Sequence, residues 1–160
     1  MVALADLTNL DLALRLVRAG MRLSIITYLT DVGVLTLRAW WKDIYGTRPP
    51  SGKLPDTFLG FIESRGEAAK MAAFVCFYQS LYGLAAVKGD CLLNAYEHFR
   101  KLCGPININA AYYAVRDVRA GIMHLAHCSQ CGARYLYDED HRRYADRCAF
   151  CGTRPNGVPT

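Results

Sequence analysis

The stretch HCSQCGARYLYDEDHRRYADRCAFCGTRP, residues 127–155, carries four cysteines as two Cys-x-x-Cys pairs, Cys128 with Cys131 and Cys148 with Cys151. The pattern is C-x2-C-x16-C-x2-C, a spacing that suits a zinc site. The physical reason is reach. Two sulfurs two residues apart can face one ion from a single tight turn, and two such turns brought together complete a tetrahedron with Zn–S distances of about 2.3 Å. Each second cysteine is followed by glycine, Gly132 and Gly152. Glycine lets the backbone curl so that amide N–H groups can point at the sulfurs and offset the charge of four thiolates. Four thiolates close the coordination sphere, whereas a catalytic zinc keeps a position open. The expectation is therefore one structural zinc ion on Cys128, Cys131, Cys148 and Cys151, stabilising a module too small and too poor in aliphatic side chains to hold itself. Iron suits the same ligand set, and a dithiol redox pair or a metal-free module are the other readings. A redox pair usually stands alone beside a βαβ pattern, and neither condition holds here. The alternating ARYLY after Gly132 is expected to pair with a segment near 142–147, making a zinc ribbon.

Between the cysteine pairs lie Arg134, Arg142, Arg143 and Arg147, with Tyr135, Tyr137 and Tyr144. Arginine and tyrosine suit phosphate and base contacts. Asp138, Glu139, Asp140 and Asp146 cancel that charge and allow a solvated loop instead. His127 abuts Cys128 and reads as a surface histidine, and His124 is expected on the preceding helix.

Upstream of residue 127 the pattern is all-α, with no convincing strand. Leu7, Leu10, Leu14, Val17 and Met21 recur at helical spacing, with Arg15, Arg18 and Arg22 on another face. Next, RLSIITYLTDVGVLTLRAWWKDIYG splits into a short helix near 23–30, a break at Asp31-Val32-Gly33, and a second helix near 34–44. Gly33 is the residue expected to take a positive φ at the turn. Two short helices around a turn containing glycine outline a helix-turn-helix, residues 23–45. GTRPPSGKLPD follows, and its prolines and glycines break any helix, marking a loop over residues 46–57. Residues 65–87 then read as a long apolar helix. A further helix runs from Gly89 and Asp90 to about Cys103, stopped by Gly104, and another spans 107–126 with Asn107 or Asn109 as cap. The expected organisation is a helical domain over 1–126 and a small zinc-binding module over 127–160.

The chain has 160 residues, of which 52% are hydrophobic, so a packed core is expected rather than global disorder. Its net charge of +5 favours an anionic partner only mildly. The start, MVALADLTNLDLALRLVRAG, has no basic n-region and places Asp6 and Asp11 where a signal peptide would be apolar. The uncharged run MAAFVCFYQSLYGLAAV between Lys70 and Lys88 is short for a membrane span and reads as a buried helix. Seven cysteines without an export signal point to a reducing compartment. Cys76, Cys91 and Cys103 read as small core residues.

Arg38 and Lys42 lie four apart on the second helix of the helix-turn-helix and share a face. Thr36, Arg38 and Lys42 are candidates to meet DNA, helped by Arg22, Arg48 and Lys53, with Arg134, Arg142, Arg143 and Arg147 from the cysteine module. Trp40 is expected in the core and Trp41 at an interface. The competing reading is that these charges only solvate a helix, in a zinc-stabilised interaction subunit without sequence-specific DNA contact. Catalysis is not expected. Glu63, Glu67, Glu97 and Asp117 fall at scattered helix-surface positions, His98 beside Glu97 is an ordinary helix neighbour, and no phosphate-binding glycine loop is present.

The pieces together resemble a known family. LALRLVRAGMRLSIITYLTDVGVLTLRAWWKDIYGTRPPSGKLP, FVCFYQSLY and CSQCGARY…CAFCGTRP are similar to FlhC, the C subunit of the bacterial flagellar master transcription activator. The resemblance covers roughly residues 8–155, and RL…LRAWWKDIYGTRPPSGKLP is its most specific part. It implies a cytoplasmic subunit that assembles with a smaller helical FlhD-type partner into a hetero-oligomer. That complex would bind promoter DNA and recruit RNA polymerase to flagellar genes. The family's zinc cysteines map onto Cys128, Cys131, Cys148 and Cys151.

Overall fold

The computed structural model describes residues 3–155. In chain order these residues form α1 (Leu4–Arg18), α2 (Leu23–Thr30), α3 (Val34–Tyr45), a 3-10 turn (Phe58–Phe61), α4 (Arg65–Tyr82), α5 (Gly89–Cys103), α6 (Ile108–Arg119), β1 (His124–His127) and β2 (Arg134–Tyr137). The protein is mainly helical, as expected, with a C-terminal cluster of four cysteines. No helix among the described residues is long and apolar enough to cross a membrane.

The chain divides into two compact units. The first holds the residues up to Leu54 together with Lys88–Leu93, and the second holds Pro55–Val87 and the residues from Asn94 onward. The expected boundary between residues 126 and 127 falls inside β1, and residues 156–160 of the expected module lie outside the described residues.

In the first unit α1 stops at a glycine. Gly20 takes φ +80, which allows its amide to bond Val17 O and the Met21 amide to bond Leu16 O. Leu16, Val17, Met21, Ile25, Ile26, Leu37 and Trp41 form the buried interior of this unit. Leu37 and Trp41 lie four apart on α3, which turns one stripe inward. Trp41 is therefore buried and Trp40 half-buried, the reverse of the expected assignment. Tyr45 ties α3 to the end of α1, its hydroxyl within 3.0 Å of Val17 O and 2.9 Å of Arg18 O.

The turn between α2 and α3 spans Asp31, Val32 and Gly33, as read from the sequence. The left-handed residue is Asp31, at φ 57, and Gly33 sits at φ −62 as the N-cap of α3. The end of α2 is where a left-handed residue is needed, and aspartate is among the few non-glycine residues that adopt that region.

In the second unit α6 is buried along nearly its whole length, from Ile108 to Val115 and again at Asp117. Asn107 caps it, accepting from the amides of Asn109 and Ala110. Ser64 caps α4 by accepting from Glu67 N, while the Glu67 carboxylate accepts from Glu63 N at 2.6 Å. Phe74, Tyr78 and Phe99 pack α4 against α5, with Phe74 and Phe99 edge-on at 5.5 Å. The helix expected to reach residue 126 ends at Arg119, because Gly121 at φ 73 closes it with the same pair of bonds that ends α1. Residues 124–127 are then free to extend, and His124 lies on β1 rather than on a helix. This overturns the expectation of no strand before residue 127. The long apolar helix likewise stops at Tyr82, where Gly83 takes φ 71.

Asp117 is fully buried, not on a helix surface as expected. Its Oδ2 accepts from Phe58 N at 2.8 Å, and Arg116 bonds Oδ1 and also Asp56 O. Burial raises its carboxyl above the usual range, against the opposing pull of the Phe58 amide and Arg116. One carboxylate thus pins the 3-10 turn to α6. Asp117→Ala is expected to strand the Phe58 amide and the Arg116 guanidinium and to cost about 2–3 kcal/mol. Urea unfolding monitored by circular dichroism would show this as a lower midpoint at unchanged slope.

Candidate metal centre and basic groove

The two cysteine pairs build turns with the same bonding. In the first, Cys128 N donates to Ala133 O at 2.8 Å and Gly132 N to Cys128 O at 3.0 Å. In the second, Cys148 N donates to Thr153 O at 2.8 Å and Gly152 N to Cys148 O at 2.9 Å. Gly132 and Gly152 take φ 73 and φ 81, the left-handed conformation the sequence pattern called for. A Cβ on Gly152 would also stand 2.7 Å from an Arg65 guanidinium nitrogen, at the start of α4.

The four Sγ atoms lie within 4.8 Å of one another, with Cys128–Cys151 at 3.5 Å and Cys131–Cys148 at 3.7 Å. Sulfurs about 2.3 Å from one tetrahedral ion stand about 3.8 Å apart, so the donor set fits a four-thiolate metal site. The cysteines are positioned to hold a metal ion. Cys128 and Cys148 are buried, and Cys131 and Cys151 reach the surface. Their thiols are not equivalent. The side chain and amide of Thr153 pull Cys151 down to about 6, its hydroxyl 3.2 Å from the sulfur. At Cys131 the Ala133 amide acts downward, but burial and the three neighbouring thiols push the group up to about 12. A cation held by the four sulfurs would favour the thiolate at every position.

β2 does follow Gly132, but its partner is not the expected 142–147 segment. It pairs antiparallel with β1, Leu125 opposite Leu136 and His127 opposite Arg134. Tyr135 is buried against Cys128 and Cys148, with Ala126 and Tyr137 packed alongside. Residues 138–147 instead fold around Asp138, which is 2% exposed. Its carboxylate accepts from the amides of Asp140 and Arg142 and from both Nε and Nη2 of Arg142. Burial opposes ionisation, but the Arg142 side chain and these amides overcome it and hold the carboxyl below the usual range. Sequence reasoning missed this clamp because four acidic residues between the knuckles look interchangeable; only burial singles out Asp138. The Tyr144 hydroxyl donates to Glu63 O at 2.5 Å, joining the loop to the segment before α4.

The arginines of this module therefore differ. Arg142 is held by Asp138 and Arg147 by Asp146, at 2.5 and 2.9 Å. Arg143 lies 4.7 Å over the Tyr144 ring, and Arg134 is exposed on β2. His127 is exposed, and His124 pairs with Glu139. Of the lone cysteines read as core, Cys76 and Cys91 are half-buried and Cys103 is exposed.

In the first unit the structure brings four of the six candidate DNA-contacting side chains to one place. Arg22, Arg38, Lys42 and Arg48 line a groove of about 1020 Å³ between α2, α3 and the 46–52 loop. Thr36 and Lys53 are exposed and do not line it.

A family model described as flagellar transcriptional activator (FlhC) matches residues 2–158. The chain is 28% identical to the flagellar transcriptional regulator FlhC of Cupriavidus necator, over 92% of this chain and 76% of that one. It is 26% identical to the protein of the same description from Gallionella capsiferriformans, over 92% and 85% of the two chains. The figure is 24% for that of Sodalis glossinidius, over 89% and 76%.

Removing one sulfur should empty the site. Cys148→Ser, at a buried position, is expected to cut bound metal from about one ion per chain to a small fraction of that. Elemental analysis of the reduced, desalted protein provides the readout, and full metal retention in the variant would refute the four-sulfur site.

Proposed function

The chain belongs to the FlhC family of flagellar transcriptional activators, and on that premise we propose that it is the DNA-contacting subunit of a promoter-binding hetero-oligomer. Its partner would be an FlhD-type helical subunit, its ligand promoter DNA, and its output recruitment of RNA polymerase to flagellar genes in the cytoplasm. The match across residues 2–158 carries this reading, because it spans both units rather than the cysteine module alone.

The physical arrangement supports it. α2 and α3 meet at a three-residue turn, and the cations of that segment gather on one groove instead of dispersing. Arg22, Thr36, Arg38, Lys42, Arg48 and Lys53 are proposed as the DNA-contacting set of the first unit. Arg134 and Arg143 extend it in the cysteine module. Arg142 and Arg147 are proposed as weaker contributors, since a carboxylate already draws on each. The metal is proposed to be one zinc ion, which suits a closed tetrahedral set of four thiolates and has no redox chemistry of its own. Its role would be structural, with no catalytic step in the protein's function.

One observation favours the alternative of an interaction subunit. Two arginines of the cysteine module, Arg142 and Arg147, are spent on Asp138 and Asp146, which suits a module built to dock on protein rather than on phosphate.

Co-expression with an FlhD-type partner should yield a stable complex of defined mass that carries zinc and binds flagellar promoter fragments. Its association constant should fall steeply between 50 and 200 mM salt, by about three orders of magnitude if six phosphates are contacted. A well-assembled complex that binds no promoter fragment would leave the interaction-subunit reading in its place.

A further inference from the structure

The groove of the first unit has a composition that points to one kind of ligand. Four cations line it, Arg22, Arg38, Lys42 and Arg48, and among the described residues no acidic side chain does. Arg38 and Lys42 stand one turn apart on α3, and Arg48 comes from the loop opposite. Arg22 Nη2 donates to Gly52 O at 2.7 Å, which joins the start of α2 to the far end of that loop. The rigid pair Pro49-Pro50 forms part of the wall. Like charges gathered in one groove repel one another, and an anion seated among them relieves that repulsion.

A further feature lies at the same groove. α2 begins at the groove, with Leu23 and Ser24 in its lining, and its N-cap residue Arg22 supplies no side-chain cap. The first turn carries the positive end of the helix dipole, and within it the Ile25 amide already donates to Arg22 O. A volume of about 1020 Å³ exceeds what one phosphate fills and suits a run of sugar–phosphate backbone.

The residues outside the groove complete the picture. Leu35 is 77% exposed at the start of α3, next to exposed Thr36, and neither lines the groove. Leu35 and Thr36 thus lie off the groove, while Val34 of the same turn is part of its lining.

We propose that this groove is a sequence-independent seat for the nucleic-acid backbone, in which Arg22, Arg38, Lys42 and Arg48 hold phosphodiesters and do not choose bases. The inference rests on the DNA-binding reading and divides its labour. The four cations set affinity and salt dependence, and sequence choice is left to other surfaces, exposed Leu35 and Thr36 among them. Phosphate contacts fix position on the duplex without carrying sequence information, while base edges carry it.

The test uses the complete hetero-oligomer with its FlhD-type partner. Binding to a promoter fragment and to a scrambled duplex of equal length is measured by fluorescence anisotropy from 50 to 200 mM KCl. The Arg38→Gln/Lys42→Gln double variant is compared with wild type. Arg48→Gln, on the exposed loop, serves as a second variant that spares the helices. The seat predicts at least a tenfold loss on both duplexes and an unchanged promoter-to-scrambled ratio. It also predicts a salt slope about two smaller for the double variant and about one smaller for Arg48→Gln, at roughly 0.9 per lost contact. Loss confined to the promoter fragment would overturn the proposal by making these side chains base readers. Unchanged affinity and slope in both variants, with wild type still binding the promoter, would remove the seat and leave the DNA-binding reading standing. A wild-type complex that binds neither duplex would overturn both. A deoxynucleoside monophosphate titrated alone gives the last arm. Tight binding that the variants abolish, with duplex affinity untouched, would make the groove a small-ligand site and sink the proposal.

Discussion

The C-terminal part of the second unit is arranged around four sulfurs that must stay within 4.8 Å of one another. Two turns with matching bonds present them, each closed by a glycine in the left-handed region. The strands serve that constraint: β1 leads into Cys128, β2 leaves Gly132, and Tyr135 fills the space against Cys128 and Cys148. A core of this size holds little by burial alone, and a metal ion on the four sulfurs would supply the missing stabilisation. The Asp138 clamp is the other fixed point. It folds residues 138–145 back through Arg142 and the Asp138 N–Ala145 O bond, and brings the chain round to the second cysteine pair.

The same unit spends polar groups on order elsewhere. Asp117 holds the 3-10 turn to α6 from a fully buried position, and Arg116 reaches Asp56 O beside it. Each of these charges is compensated by specific donors, the condition under which a buried carboxylate is tolerated. In the first unit the apolar stripe of α3, Leu37 and Trp41, is internal, so Arg38 and Lys42 are carried outward by helix geometry alone. What burial requires of one face of α3 therefore sets where its positive charge stands.

The family assignment and the groove reinforce each other at a coarse level. The relatives share the description of flagellar transcriptional regulator, and a groove lined by cations without carboxylates is a surface that suits a polyanion. In the cysteine module Arg142 and Arg147 are each paired with a carboxylate, whereas the groove of the first unit gathers four cations in one lining.

Much of this was legible in the residues. The spacing of Cys128, Cys131, Cys148 and Cys151 made the cluster of four sulfurs legible, because two residues between thiols and a following glycine favour a tight turn that brings each pair together. Periodicity placed α2, α3 and α5 almost to the residue, and turn chemistry marked the Asp31–Gly33 break. The sequence was silent where several local solutions are equal. It could not show that Asp31 would take the left-handed φ and leave Gly33 at φ −62, nor that Gly121 would end α6 early enough to free β1. It could not choose β1 over residues 142–147 as the partner of β2, because strand pairing is decided by what else must be buried. Nor could it sort Asp138 from its acidic neighbours or gather Arg22, Arg38, Lys42 and Arg48 on one groove. Those outcomes depend on distances between residues far apart in the chain, and only tertiary packing sets them.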